Sequence, residues 1–204
     1  MIMLLIDRFV DSHAEYRGRS FRGGPGGHLL PGRRRPEAGT LGVVTSGSGE
    51  PVRPRLELMT RFNVALGRDP WTVGATSDLG TRRIVPITGG SFAGPMLNGV
   101  ILDNGADWQV ITRDGLTLID TRYLLRLDDG ELAYLRTSGY RHGPPEVLAA
   151  LAAGDDVDPA RYYFRVHLDF ETASAGYSWL NRCVAVGSAV RQARAVVYDA
   201  YRVT

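Results

Sequence analysis

From Pro54 to Thr204 the sequence alternates apolar and polar residues in short runs that break at glycine. "LTLIDTRYLLRL" (116–127), "ELAYLRTSG" (131–139) and "RYYFRVHLDFE" (161–171) repeat with period two. That spacing sends successive side chains to opposite faces of a strand. Similar runs occur at "RLELMTRFNVAL" (55–66), "WTVGAT", "RRIVPITGG", "DWQVIT", "WLNRCVAVG" and "RQARAVVYDAYRVT". "RDG" (113–115) and "DDG" (128–130) sit between runs, and glycine there supplies the positive φ that a tight hairpin needs. One helix interrupts the pattern. "PPEVLAALAAGDD" places Pro145 in a first turn and Gly154 at a C-terminus, a cover of about nine residues, roughly 14 Å long. The expectation is an all-β fold: a single closed antiparallel β-barrel of about 8–10 strands with one short helix.

Composition divides the chain. Residues 1–53 carry eight Arg against five Asp and Glu and are crowded with Gly, Pro and Ser, whereas 54–204 carry 16 Arg against 17 acids. Residues 1–53 show neither strand nor helix period and are read as a disordered extension; 54–204 are read as the barrel domain. Arg17, Arg19, Arg22, Arg33, Arg34 and Arg35 suit phosphate contact. A single "FRGG" is no array, however, and the body is not basic, so nucleic acid is not expected as a partner. Val43, Val44 or Val52 as an alternative start is a further reading of this segment. "MIMLLIDRFV" is too short for a signal-peptide core or a membrane span. With Cys183 as the only cysteine, a reduced, cytoplasmic setting is expected. There is no lysine among the 24 basic residues, which excludes Schiff-base chemistry, lysine-anchored pyridoxal phosphate and the phosphate-loop lysine.

The segment "GATSDLGTRRIVPITGGSFAGPMLNGVILDNGADW", with "DTRYLLRLDDG", "YYFRVHLDFET" and "YSWLN" further on, resembles the small β-barrel proteins catalogued as domain of unknown function 3237. The resemblance covers about Pro54 to Thr204. It implies a closed antiparallel barrel with a ligand-sized interior, and no shared chemistry. Asn104, Thr121 and Leu127 depart from the family's usual residues. His142 and His167 fall between its motifs.

Asp107 and Trp108 head an apolar run and must face opposite ways. If Trp108 packs outside, Asp107 enters the barrel; if Trp108 faces in, Asp107 caps a strand end. An inward carboxylate needs an arginine partner or a raised pKa, and the arginines of "DTRYLLR" are candidates for that partner. Arg122 shares a face with Asp120 and Arg126, opposite to Tyr123, so the two cannot enter one cavity. Arg165 and Glu171 lie on the family's "FR" and "FET" motifs, on one face with His167 and Asp169. Trp179 and Asn181 come from "WLN", within reach of Glu171 at a barrel mouth. A second histidine for a metal triad is missing, so no metal is expected. No Gly-x-Ser-x-Gly elbow or dinucleotide fingerprint occurs, so no cofactor is expected.

Two functions remain open. One is a cofactor-free isomerase, cyclase or lyase in which Asp107 or Glu171 moves a proton and Arg122 or Arg165 steadies an oxyanion. Tyr123, Trp179 and Asn181 would help to hold the substrate. The other is a barrel that carries or senses its ligand unchanged. Either way the expected partner is a small, largely apolar organic molecule, with no membrane involved and self-association through an exposed edge left open.

Overall fold

The computed structural model describes residues 49–77 and 79–204. All but the last five residues of the 1–53 extension lie outside that range, with the arginines weighed there for phosphate contact. The alternating runs become β1 (Leu56–Leu66), β2 (Trp71–Ser77), β3 (Gly80–Ala93), β4 (Gly99–Ile101), β5 (Gly105–Ile111), β6 (Thr117–Leu127), β7 (Leu132–His142), β8 (Tyr163–Thr172), β9 (Val184–Arg191) and β10 (Ala195–Val203). A helix, α1 (Pro145–Ala153), joins β7 to β8.

Every pairing is antiparallel, and β1 hydrogen-bonds to β10 on one side and β3 on the other, which closes the sheet on itself. From β5 onward each strand pairs with the next in sequence. The result is a closed eight-stranded barrel with two extra strands. One is β4, which occupies the same place between β3 and β6 as β5 does, further along. The other is β2, which pairs only with the first half of β3 and leaves Trp71 and Val73 exposed.

Period two is realised most cleanly in β8, where Phe164, Val166, Leu168 and Phe170 are buried and the residues between them exposed. The hairpin glycines adopt the required conformation, Gly115 at φ 87° and Gly130 at φ 89°. Helix α1 ends at Gly154, at φ 92°. Its N–H donates to the Leu151 carbonyl at 3.2 Å, and the Asp155 N–H to that of Ala150 at 3.0 Å, satisfying two of the helix's orphan acceptors.

The two ends of the barrel differ. At one, Met59, Phe62, Leu97, Leu125, Leu135 and Leu168 are wholly buried. Phe62 stacks on Phe92 at 5.0 Å and on Tyr198 at 4.6 Å between ring centroids. Each such side chain contributes roughly 1.5–3 kcal/mol by leaving water. At the other end, the ends of β5, β7 and β9 and the start of β6 meet beneath α1, and the interior is hollow. Among the described residues no helix is long and apolar enough to cross a membrane.

Candidate functional site

The hollow is a cavity of about 210 Å³. Leu148, Leu151 and Ala152 of α1 roof it, and Ile111, Phe164, Val166, Val196 and their neighbours give it apolar walls. At its inner end the Tyr123 and Tyr198 hydroxyls meet at 2.5 Å, joining β6 to β10. Burial holds both phenols above their ordinary range, so they stay neutral and shape the site as hydrogen-bonding groups.

Asp107 is on this wall, and Trp108 is outside, 5.7 Å beneath the Arg122 guanidinium. The Asp120 backbone N–H donates to Asp107 Oδ1 at 3.2 Å. Burial pushes the Asp107 carboxyl up from 3.8 to about 6, against the Asp120 N–H, the charge of Arg141 and a hydrogen bond with Thr121, which pull it down. The charge that favours its ionised form therefore comes from β7, not from "DTRYLLR". Register explains why. Arg122 lies opposite Ala106 and Thr121 opposite Asp107, so Arg122 points outward, where it bonds Asp120 at 3.2 Å.

Arg83, Arg141 and Arg191 also line the cavity, with Gln109. Arg141 Nη2 donates to Thr117 Oγ1 at 3.3 Å, and its guanidinium lies 5.7 Å from the centre of the Phe164 ring. Burial and the neighbouring Arg191 push Arg141 down to about 10, although Asp107 opposes this. Arg191 is lowered by burial and then by Arg83; its Nη1 donates to the Ala195 carbonyl at 3.1 Å. Arg141 Nε and Gln109 Oε1 are buried without hydrogen-bond partners, an uncommon state for interior polar atoms.

Of the residues singled out from the sequence, Asp107 and Tyr123 share this cavity. The others lie elsewhere. Glu171 is exposed on the outer face of β8, opposite Tyr134. Arg165, also exposed, lies 5.4 Å from the Tyr163 ring and donates to the Phe164 carbonyl at 2.9 Å. Asn181 clamps the end of β8, accepting from the Thr172 N–H at 2.9 Å and donating to its carbonyl at 2.8 Å. Trp179 packs against the core with the Arg202 guanidinium 5.6 Å above it. Arg83, Gln109, Arg141 and Arg191 were missed. Their signal was parity: Arg141 is in phase with buried Ala133, Leu135 and Thr137, and Arg191 with buried Ala185 and Ala189.

Several known proteins are similar to this chain. The model of the family described as "protein of unknown function (DUF3237)" matches residues 54–203. A β-barrel-like protein of Acinetobacter baumannii, known from a crystal structure, is 56% identical with a TM-score of 0.68, over 76% of this chain and 99% of that one. A UPF0311 protein of Rhodopseudomonas palustris is 38% identical over 150 residues, 74% of this chain and 98% of its own length. A hydroalkoxylation enzyme of Penicillium herquei is 27% identical over 146 residues, 72% of this chain and 81% of its own.

Proposed function

This chain belongs to the family described as protein of unknown function (DUF3237), and from that premise we propose that it is a cofactor-free acid–base enzyme. It acts on a small, largely apolar organic metabolite enclosed beneath α1. One observation carries the reading: among the described residues Asp107 is the only carboxylate lining the cavity, and its pKa is raised to about 6. A carboxyl titrating near neutrality can take a proton from a bound substrate and return it elsewhere. Buried carboxylates are destabilising, and such groups concentrate where they do chemistry.

The likeness to a hydroalkoxylation enzyme supports the same class of reaction. Adding a hydroxyl across a carbon–carbon double bond moves one proton from oxygen to carbon. It requires no redox partner and no leaving group. Asp107 relays that proton, and a cavity arginine, not Arg122 or Arg165, lowers the energy of the oxyanion formed on the way. Glu171 has no part in it. The setting is the cytoplasm, and the partner is the substrate itself.

The test uses the full chain, wild type and Asp107→Asn, incubated in D2O with a metabolite extract of the source organism and read by untargeted mass spectrometry. The expected result is a metabolite converted by wild type into a product bearing one carbon-bound deuterium, and spared by the variant. A metabolite retained by both proteins and recovered unchanged would instead identify a carrier.

A further inference from the structure

We propose that the natural ligand is an organic acid, its carboxylate gripped by Arg141 and Arg191 beneath α1 while its apolar body extends inward to Asp107. This rests on the reading of the cavity as the substrate site and adds the substrate's chemical class.

The argument is one of permanent charge. Three guanidiniums, those of Arg83, Arg141 and Arg191, face one small cavity with a single carboxylate among the described residues. None of the three forms an ion pair among those residues. Arginine does not shed its proton near neutral pH, so the cavity keeps an excess of positive charge even when Asp107 is ionised. An oxyanion that exists only during reaction leaves that charge unbalanced for most of the time a substrate is bound; a charged group on the substrate balances it from binding to release.

Geometry indicates which group. The side edge of a guanidinium, Nε with Nη2, accepts a carboxylate through two parallel bonds. On Arg141 that edge is under-bonded: Nε has no partner but is sealed from the cavity as the side chain stands, and Nη2 has only its 3.3 Å bond to Thr117. A turn of the guanidinium is therefore needed to present the edge to a ligand. Arg191, the last residue of β9, stands beside it. The Thr117–Arg141 pair lies four residues up the ladder from the Thr121–Thr137 pair at Asp107, about 13 Å between backbone positions. The Arg141 side chain spans a part of that distance, since its charge acts on Asp107. An acid held at one level therefore presents a different part of itself to Asp107. Between them lies Gln109, whose side chain lines the cavity and suits a polar group on that body.

The experiment is calorimetric titration of the full chain at pH 7.5 with benzoate, phenylacetate, trans-cinnamate and octanoate, each beside its neutral amide, and with inorganic phosphate. At least one acid should outbind its amide by about tenfold or more. Arg141→Gln or Arg191→Gln should remove at least about tenfold of that affinity. Arg122→Gln, on the outer face, should change it less than about twofold. Asp107→Asn should tighten acid binding by removing a competing negative charge. Thermal melts of each variant establish that it is folded.

The proposal is overturned if no acid outbinds its amide, if both cavity-arginine variants fold and bind acids like wild type, or if phosphate outbinds every acid. The catalytic reading fails separately. Acid-selective binding with no metabolite converted would sink that reading alone. Conversion abolished by Asp107→Asn, with amides bound as well as acids, would sink this one alone.

Discussion

Replacing Asp107 with asparagine should make the protein more stable at neutral pH while disabling it. Asparagine keeps an oxygen to accept the Asp120 N–H, now at 3.2 Å from Oδ1, and removes the charge. The carboxyl has its pKa raised from 3.8 to about 6 in the folded chain. Between those values the native state binds more protons than the unfolded one, so Asp107 lowers stability as pH rises through that window. At about 1.4 kcal/mol per pKa unit, the ionised carboxylate costs roughly 3 kcal/mol above pH 6 and almost nothing below pH 4. The variant should therefore gain up to ~3 kcal/mol over wild type at pH 7.5, and the gap should close on acidification. Urea denaturation of both proteins at pH 4, 5, 6, 7 and 8, followed by tryptophan fluorescence, measures this. A gap that stays flat, or that widens towards pH 4, would refute the reading that burial raises the Asp107 carboxyl.

Turnover, once a substrate is in hand, should rise through a pKa of about 6 to a plateau, as the Asp107 base ionises; a rate flat from pH 5 to 8 would remove Asp107 from the chemistry. Gly105→Ala should cost about 1–3 kcal/mol and impair activity, because an added Cβ would sit 2.4 Å from the Tyr123 Cβ and displace the start of β5; the paired readout is melting temperature and rate. Tyr123→Phe leaves the Tyr198 hydroxyl without its 2.5 Å partner and should lower stability by about 1–2 kcal/mol in calorimetry. Glu171→Gln and Arg165→Gln, both on the outer face of β8, should leave turnover unchanged and stability within about 0.5 kcal/mol; loss of turnover in either would move the site out of the barrel.

The barrel was legible because its determinants are local. Alternation fixed the strands, "RDG" and "DDG" the hairpins, and Pro145 with Gly154 the helix. In β6 and β8 one face is more apolar than the other, yet Arg122, Arg165 and Glu171 were taken as site candidates from the polar faces, which turn outward. The polar lining of the cavity was harder to read. Near the hollow end the inward face carries Arg141, Arg191 and Gln109, so it no longer stands out as apolar. Only counting back by twos to a buried leucine or alanine reveals its direction. Asp107 stayed ambiguous for a different reason. Its orientation depends on the register that pairs it with Thr121, a long-range property that "ADW" does not encode. Cys183 was expected within a strand; it is half-buried between a 3-10 turn (Ser178–Arg182) and β9, donating to the Leu180 carbonyl at 3.5 Å.

The Tyr123–Tyr198 bridge partitions the barrel into two populations of positions. On one side Met59, Phe62, Leu125, Leu135 and Leu168 supply cohesion and touch no occupant. On the other, Thr117, Thr137, Ala189 and the α1 residues line the cavity, so substitutions there alter its outline without disturbing the packed half. A scaffold divided in this way can exchange its guest while keeping its fold. Descendants of one such barrel would then diverge in substrate through the chamber under α1 while retaining a common strand framework.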